Sequence, residues 1–232
     1  MSKVKQKLAA REVVTMFNPD YPAPRLVEYV AAFGLDVAFI DAERQSYDFE
    51  RIEEMARAAR AAGIASVARP WTNDPGLIVR YFDCGVDGVK VPHVEDAATA
   101  RRMVDLVRYA RPQDHAEKIL IIMVETPGAI ARIDEIAAVP GIDVINIGTN
   151  DVAYAAGHPG EPEHPEVVAL VDEAIGRILA GGKTVGLNVL THWEKRMPYF
   201  LAKGVRWFNV HVNTFINRGA AQYLDLLKRN PV

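Results

Sequence analysis

Two carboxylates, each at the end of an apolar run, are the residues in this sequence best suited to bind a metal ion. Glu125 closes the run IMVETPGA at 122–129, and Asp151 follows the next run in INIGTNDVA at 145–153. Adjacent strands of a parallel sheet lie about 4.8 Å apart, so carboxylates leaving neighbouring strand ends can share one ion. Hard oxygen ligands of this kind favour Mg²⁺ or Mn²⁺. The alternative interpretation is that each carboxylate only caps the helix that follows it.

Groups that could bind an organic anion occur at similar places. Arg69 ends the apolar run of VARPWTNDP at 67–75, and a planar cation there suits an enolate or keto oxygen. An ordinary structural salt bridge is the competing interpretation of Arg69. The turn Gly148-Thr149-Asn150 is typical of a helix entry, whose backbone amides can bind a carboxylate. The sequence therefore predicts anion-binding groups beside the predicted metal site.

Eight short β-branched runs alternate with helical patterns, which predicts parallel strands joined by crossover helices. The predicted strands cover roughly residues 13–18, 37–41, 66–70, 88–92, 119–125, 144–148, 184–189 and 207–212. Such units form either an open doubly wound sheet or a closed barrel.

The position of the polar residues favours the barrel. Seven of them lie at or just beyond predicted strand ends: Asn18, Asp41, Arg69, Glu125, Asp151, Asn188 and His211. In a barrel these strand ends converge on one mouth, where the chemistry of the fold takes place. We therefore predict a single (β/α)8 TIM-type barrel over residues 1–232, a length close to the roughly 250 residues typical of this fold.

Composition excludes several classes of partner. Half of the residues are apolar, a quarter are charged, and the net charge is -3, which provides no basic surface for nucleic acid. No apolar run approaches the roughly 20 residues of a membrane span. The N-terminal segment has no signal-peptide pattern, so a cytoplasmic location is expected. The single cysteine, Cys84, allows no disulfide within the chain.

Several motifs, in order and at matching spacing, resemble the HpcH/HpaI family of divalent-metal-dependent pyruvate aldolases. The resemblance covers most of the chain through GLDVAFIDAE (34–43), VARPWTNDP, GVDGVKVPHVEDAATAR (85–101), VETPGA, NIGTNDVA and HPEV (164–167). It implies an α/β barrel that uses Mg²⁺, Mn²⁺ or Co²⁺ and releases pyruvate from a 2-oxo acid by reversible aldol cleavage. It also implies a homo-oligomer, a hexamer arranged as a dimer of trimers with an exchanged C-terminal helix.

The resemblance assigns roles to individual positions. The family's metal carboxylates match Glu125 and Asp151, and the arginine that stabilises the enolate matches Arg69. An aspartate on the third helix matches Asp83. The pair of carboxylate motifs also looks like the metal site of phosphoenolpyruvate-utilising enzymes, so a metal-bound pyruvate enolate is the common expectation.

The chain departs from the family pattern at the position where a proton-transferring histidine is expected. Arg44 stands there, and arginine cannot act as a general base near neutral pH. An ion pair between Arg44 and Asp83 would be a natural replacement. Three histidines at strand or helix ends could move protons instead, and His93 is the best placed of them; the others are His192 and His211.

Two functions of different classes follow. The first is a carbon–carbon lyase that acts on a 2-oxo acid by aldol cleavage or oxaloacetate-type decarboxylation. The second is a catalytically weakened family member that serves as a metal-binding or assembly subunit, which Arg44 favours. Phosphoenolpyruvate chemistry is a third hypothesis, weakened because no further basic cluster for a phosphate is evident.

Overall fold

Eight parallel strands pair in chain order, and the last pairs with the first, in the computed structural model, which describes residues 2–189 and 192–229. The closed barrel confirms the predicted fold class and excludes the open sheet. The strands are β1 (Val14–Asn18), β2 (Val37–Asp41), β3 (Ala65–Arg69), β4 (Gly88–Val91), β5 (Ile119–Val124), β6 (Val144–Ile147), β7 (Thr184–Asn188) and β8 (Trp207–His211).

Helices connect the strands and surround the barrel. They are α1 (Lys3–Ala9), α2 (Pro24–Ala31), α3 (Phe49–Ala61), α4 (Pro75–Asp83), α5 (Ala97–Ala110), a 3₁₀ turn (His115–Glu117), α6 (Pro127–Ala131), α7 (Ile133–Ala137), α8 (Thr149–Ala155), α9 (Pro165–Ala180), α10 (Trp193–Ala202) and α11 (Val212–Arg229). Aspartate side chains cap the first turns of α3, α4 and α5, as expected for helix starts.

Three aspartates link neighbouring strands at the end of the barrel opposite the mouth. Asp36, Asp87 and Asp143 directly precede β2, β4 and β6, and each accepts the backbone N–H of the second residue of the preceding strand. Each pairing occupies a backbone donor that would otherwise be unsatisfied at a strand start. Helix α1 covers this end, because Val4 packs with the inward-facing residues of the strands. Access to the interior is therefore from the carboxyl ends of the strands.

The last helix, α11, extends away from the barrel. Only Val212 in it is buried, whereas Phe215, Ile216, Tyr223 and three further large apolar side chains are exposed. Beside its base lies an almost entirely apolar groove of about 310 Å³, lined by side chains that include Trp193, Met197 and Phe208. The chain thus presents both an apolar helix and an apolar groove. No helix within the described ranges is long and apolar enough to cross a bilayer.

Candidate active site

Glu125 and Asp151 lie together at the mouth of the barrel. Glu125 directly follows β5, and Asp151 lies in the first turn of α8, directly after β6. A Cβ atom on Gly148 would come within 2.9 Å of Glu125 Cγ, 3.1 Å of Asp151 Oδ2 and 3.5 Å of Glu125 Oε1. Both carboxylates therefore face the space that the missing side chain of Gly148 leaves open.

The surroundings of the buried Glu125 disfavour its charged carboxylate form. The residue is only 4% exposed. Burial raises the pKa of Glu125, and the negative charges of Asp151 and Glu43 raise it further, although the backbone N–H of His93 donates to Oε2 at 2.8 Å and opposes the rise. A cation beside Glu125 would relieve both the desolvation and the repulsion, so the donor set fits a divalent metal ion.

Arg69 is held rigidly below the two carboxylates. Its Nε and Nη2 donate to the two oxygens of Asp41 at 2.8 and 2.7 Å, and its Nη1 lies 2.9 Å from Glu43 Oε2. Burial disfavours the charged guanidinium, but Asp41 and Glu43 outweigh this and raise the pKa of Arg69. Arg69 therefore forms the structural ion pair that was one interpretation of it, at the carboxyl end of β3, and its role toward an enolate stays a prediction.

Arg44 contacts the candidate metal site instead of Asp83. Its Nη2 lies 3.7 Å from Asp151 Oδ1, its Nε lies 3.3 Å from Glu43 Oε1, and its side chain is 64% exposed. Asp83 is the last residue of α4 and is exposed near Arg111, at the end of the barrel that α1 covers. The Arg44–Asp83 ion pair expected from the sequence is therefore wrong within one chain, because the two residues lie at opposite ends of the barrel.

The turn at the start of α8 differs in detail from the expectation. The backbone N–H of Gly148 donates to the carbonyl of Val124 at 2.9 Å, so it is already used in continuing the sheet. Gly148 therefore contributes space and not a donor, which corrects its predicted role. Thr149 and Asn150 form the first turn of α8, where backbone amides have no partner within the helix.

The three histidines proposed as proton carriers lie at different distances from this site. His93 Nδ1 is 3.2 Å from Glu125 Oε2, and its left-handed backbone (φ 57°) turns its N–H toward the same oxygen. His211 at the end of β8 pairs with Asp20 at 2.5 Å, on the opposite side of the mouth. His192 precedes α10 and lies 3.5 Å from Glu163. Only His93 contacts a candidate metal ligand.

The sequence reading missed a buried lysine inside the barrel. Lys90, in the middle of β4, is fully buried, and its Nζ lies 4.9 Å from the ring centroid of Phe39. It lies close enough to Arg69 and Glu125 for their charges to act on it. The sequence does indicate this lysine. A strand buried on both faces rarely contains a lysine, and the motif Val89-Lys90-Val91 places one in the predicted fourth strand.

Comparison with known proteins agrees with this geometry. The profile of the HpcH/HpaI aldolase/citrate lyase family matches residues 14–217. The chain belongs to this family. Its relatives include a pyruvate aldolase of Rhizobium etli, which is 34% identical over 72% of this chain and 74% of that protein. A hydroxypyruvate/pyruvate aldolase of Pseudomonas aeruginosa is 30% identical over 92% of this chain and 88% of that protein.

A solved structure extends the similarity to nearly the whole length. The citrate synthase SbnG superposes with a TM-score of 0.87 at 28% identity, covering 97% of each chain. The predicted membership of the HpcH/HpaI family and the predicted lyase class are thereby confirmed. The HpcH/HpaI relatives named above differ in their substrates, so the family alone fixes the kind of reaction and not the molecule that reacts.

Proposed function

We propose that this HpcH/HpaI protein is a metal-dependent carbon–carbon lyase that acts on a 2-oxo acid through a pyruvate enolate. Aldol cleavage or condensation and oxaloacetate-type decarboxylation both use this intermediate. The observation that carries the proposal is the pair of carboxylates, Glu125 and Asp151, facing one open space at Gly148. The names of the relatives, which are pyruvate and hydroxypyruvate/pyruvate aldolases, support the same substrate class.

Glu125 and Asp151 would hold the divalent ion, Mg²⁺, Mn²⁺ or Co²⁺. When bound, such an ion acts as a Lewis acid that polarises a carbonyl oxygen. The all-oxygen donor pair suits hard cations, and a bound cation would offset the burial and the charge of Asp151 that raise the pKa of Glu125.

Arg69 supplies positive charge to the reacting oxygen. Asp41 fixes the plane of the guanidinium through two hydrogen bonds, so little side-chain entropy is lost when a substrate binds. Of the five N–H donors of the guanidinium, two bond to Asp41 and one Nη1 hydrogen bonds to Met123 Sδ, while Nη1 also forms an ion pair with Glu43. At most two donors therefore remain for a substrate oxygen. The backbone amides of Thr149 and Asn150, at the start of α8, would receive the substrate carboxylate.

His93 is the group that we assign to proton transfer. Its ring is 60% exposed and contacts Glu125, so it can exchange protons with solvent beside the bound substrate. Arg44, in the place of the family's histidine, remains charged and can only bind or orient an anion. Asp83 would reach a mouth only if another chain of an oligomer supplied it.

Removing one metal carboxylate tests the lyase proposal. Pyruvate release from oxaloacetate and from a 4-hydroxy-2-oxo acid is measured with Mn²⁺ and after treatment with a chelator. Glu125→Ala should abolish the Mn²⁺-dependent turnover, whereas Glu54→Gln on the exposed face of α3 should retain it. Full activity in a metal-free preparation would refute the proposal.

The second candidate function, a weakened family member, rests on the exposed Arg44 beside Asp151. Arg44→His with aldehyde acceptors and pyruvate separates the two functions. A gain in activity from a nearly inactive parent supports the weakened-member function. Ready turnover by the parent chain supports the lyase.

We also propose that the chain forms a homo-oligomer by exchanging α11 between copies. The exposed apolar residues of α11 match the apolar groove beside its base, and both occur on the same chain. Leu224→Glu should lower the molar mass measured by light scattering, whereas Asn217→Glu on an exposed turn of α11 should have a smaller effect. An unchanged molar mass in Leu224→Glu would refute the exchange.

A further inference from the structure

A short segment at the rim of the mouth brings together imidazole and carboxylate groups that the proposed reaction does not use. The segment, GHPGEPEHPEV at 157–167, connects the end of α8 to the start of α9. His158, Glu161 and His164 are spaced three residues apart in it. Their ligand atoms all lie within 4.8 Å of one another.

The backbone of the segment explains why these side chains meet. The N–H of Glu161 donates to the carbonyl of His158 at 3.1 Å, and the N–H of His164 donates to the carbonyl of Glu161 at 3.0 Å. The first of these turns places Gly160 in the left-handed region (φ 80°), as a type II turn requires, and the two turns together bring the residues at their ends close to one another. The rings of His158 and His164 accordingly stack, with their centroids 3.5 Å apart.

The segment is also fixed at both ends. The N–H of His158 donates to the carbonyl of Ala153 in α8, and the side chain of His164 caps the start of α9. The prolines at 159, 162 and 165 restrict the backbone between these anchors. A preformed frame lowers the entropic cost of ordering ligands around an ion.

A second carboxylate completes the donor set. Glu166 Oε2 lies 2.8 Å from His158 Nε2. Two imidazoles and two carboxylates are the ligand types that Zn²⁺ and other late first-row divalent ions prefer, in contrast to the all-oxygen pair of Glu125 and Asp151. The neutral imidazole nitrogens bind Mg²⁺ poorly, so the two sites should select different metals.

We propose that His158, Glu161 and His164, with Glu166 as a further donor, form a binding site for one Zn²⁺ or a similar transition-metal ion. Ligand atoms around one Zn²⁺ lie about 3.4 Å apart, as follows from bond lengths of about 2.1 Å in a tetrahedron. Binding therefore requires ligand atoms that now lie up to 4.8 Å apart to approach one another, which the two rings can do by turning out of their stack. The ion would tie the segment to α8, the helix that carries Asp151.

Substitutions that keep the fold can remove the donors one at a time. His158→Phe retains a ring of similar size for the stack but has no nitrogen. His164→Asn retains a side chain that can cap α9. His115→Phe, in the 3₁₀ turn outside this cluster, is the matched control.

Zn²⁺ binding is measured by equilibrium dialysis and metal analysis, with Mg²⁺ in large excess to occupy the carboxylate pair at the mouth. The parent chain and His115→Phe should retain one equivalent of Zn²⁺ per chain. His158→Phe and His164→Asn should each lower the affinity at least tenfold, on the order expected for loss of a ligand. Co²⁺ should give a visible absorption band in the parent that both variants lose.

Three results would overturn the site: no Zn²⁺ retained by the parent chain, equal affinity in all four proteins, or loss of affinity in only one of the two site variants. The measurement is independent of the proposed lyase activity, because Glu125→Ala should abolish turnover and should leave this Zn²⁺ equivalent unchanged.

Discussion

The buried Lys90 should make the stability of this protein depend on pH in a way that one substitution removes. Its Nζ has no hydrogen-bond partner among the described residues. Burial, together with the positive charge of Arg69, lowers the pKa of Lys90 to about 7, although Asp41, Glu125 and Glu43 partly oppose the shift. Folding therefore drives this amine toward its neutral form.

The size of this effect on stability follows from the difference between the pKa of Lys90 in the folded protein and its pKa in the unfolded chain. An unfolded lysine has a pKa of about 10.4, and each unit of difference corresponds to about 1.4 kcal/mol, so the protonated form costs roughly 5 kcal/mol in the folded protein. Because the folded pKa is the lower one, the unfolded chain binds more protons between about pH 7 and 10. Stability should rise with pH across this window, and the full cost should apply below pH 7.

Lys90→Met replaces the amine with an unbranched apolar side chain of similar length. At pH 6 the variant should be more stable than the parent by up to roughly 5 kcal/mol, and the gain should shrink as the pH approaches 10. Urea unfolding of both proteins at pH 6, 8 and 9.5 measures the difference. Lys195→Met, at an exposed position of α10, is the control and should show no such trend. A difference between parent and Lys90→Met that stays constant with pH would refute the reasoning.

Three further predictions concern the mouth of the barrel. Gly148→Ala places a Cβ 2.9 Å from Glu125 Cγ and should weaken Mn²⁺ binding about tenfold or more in a titration, whereas Gly176→Ala, with open space around it, should not. Arg44→Gln removes a charge 3.7 Å from Asp151 and should tighten Mn²⁺ binding about fivefold at low salt, and an unchanged affinity would contradict this. Asp41→Asn leaves the buried Arg69 with fewer partners and should cost about 3 kcal/mol of unfolding free energy in urea, far more than Asp105→Asn on the exposed face of α5.

The barrel was predictable because its determinants are local. Alternating strands and helices with polar residues at strand ends indicate the closed sheet and its mouth, and adjacency of β5 and β6 brings Glu125 and Asp151 together. The position of Asp83 could not be derived in this way, since it depends on which end of α4 reaches the mouth. Helices run back along the barrel, so the last residue of α4 lies at the opposite end from the strand termini.

Partners of a buried side chain are harder to predict, because they come from strands that are distant in sequence. Glu43 contacts both Arg69 and Arg44, and no spacing in the sequence indicates that it serves two arginines. The inward direction of Lys90 also depends on the register of β4 against β5, where Lys90 pairs with Ile121. A slip of one residue would turn the lysine outward, so its burial follows only once the whole sheet is closed.

Arg44 changes what the mouth can do, beyond the loss of a histidine. A histidine at this position could give and take a proton near neutral pH, whereas the guanidinium holds a permanent charge beside Asp151. That charge partly neutralises the carboxylate pair before any metal binds, and the metal must compete with it. At 3.7 Å in a solvent-like dielectric this competition amounts to roughly 1 kcal/mol. In the proposed reaction, proton transfer is assigned to a separate group, His93, which contacts Glu125. In the proposed mechanism, Arg44 therefore provides the positive charge and His93 transfers the proton, whereas a single histidine could do both.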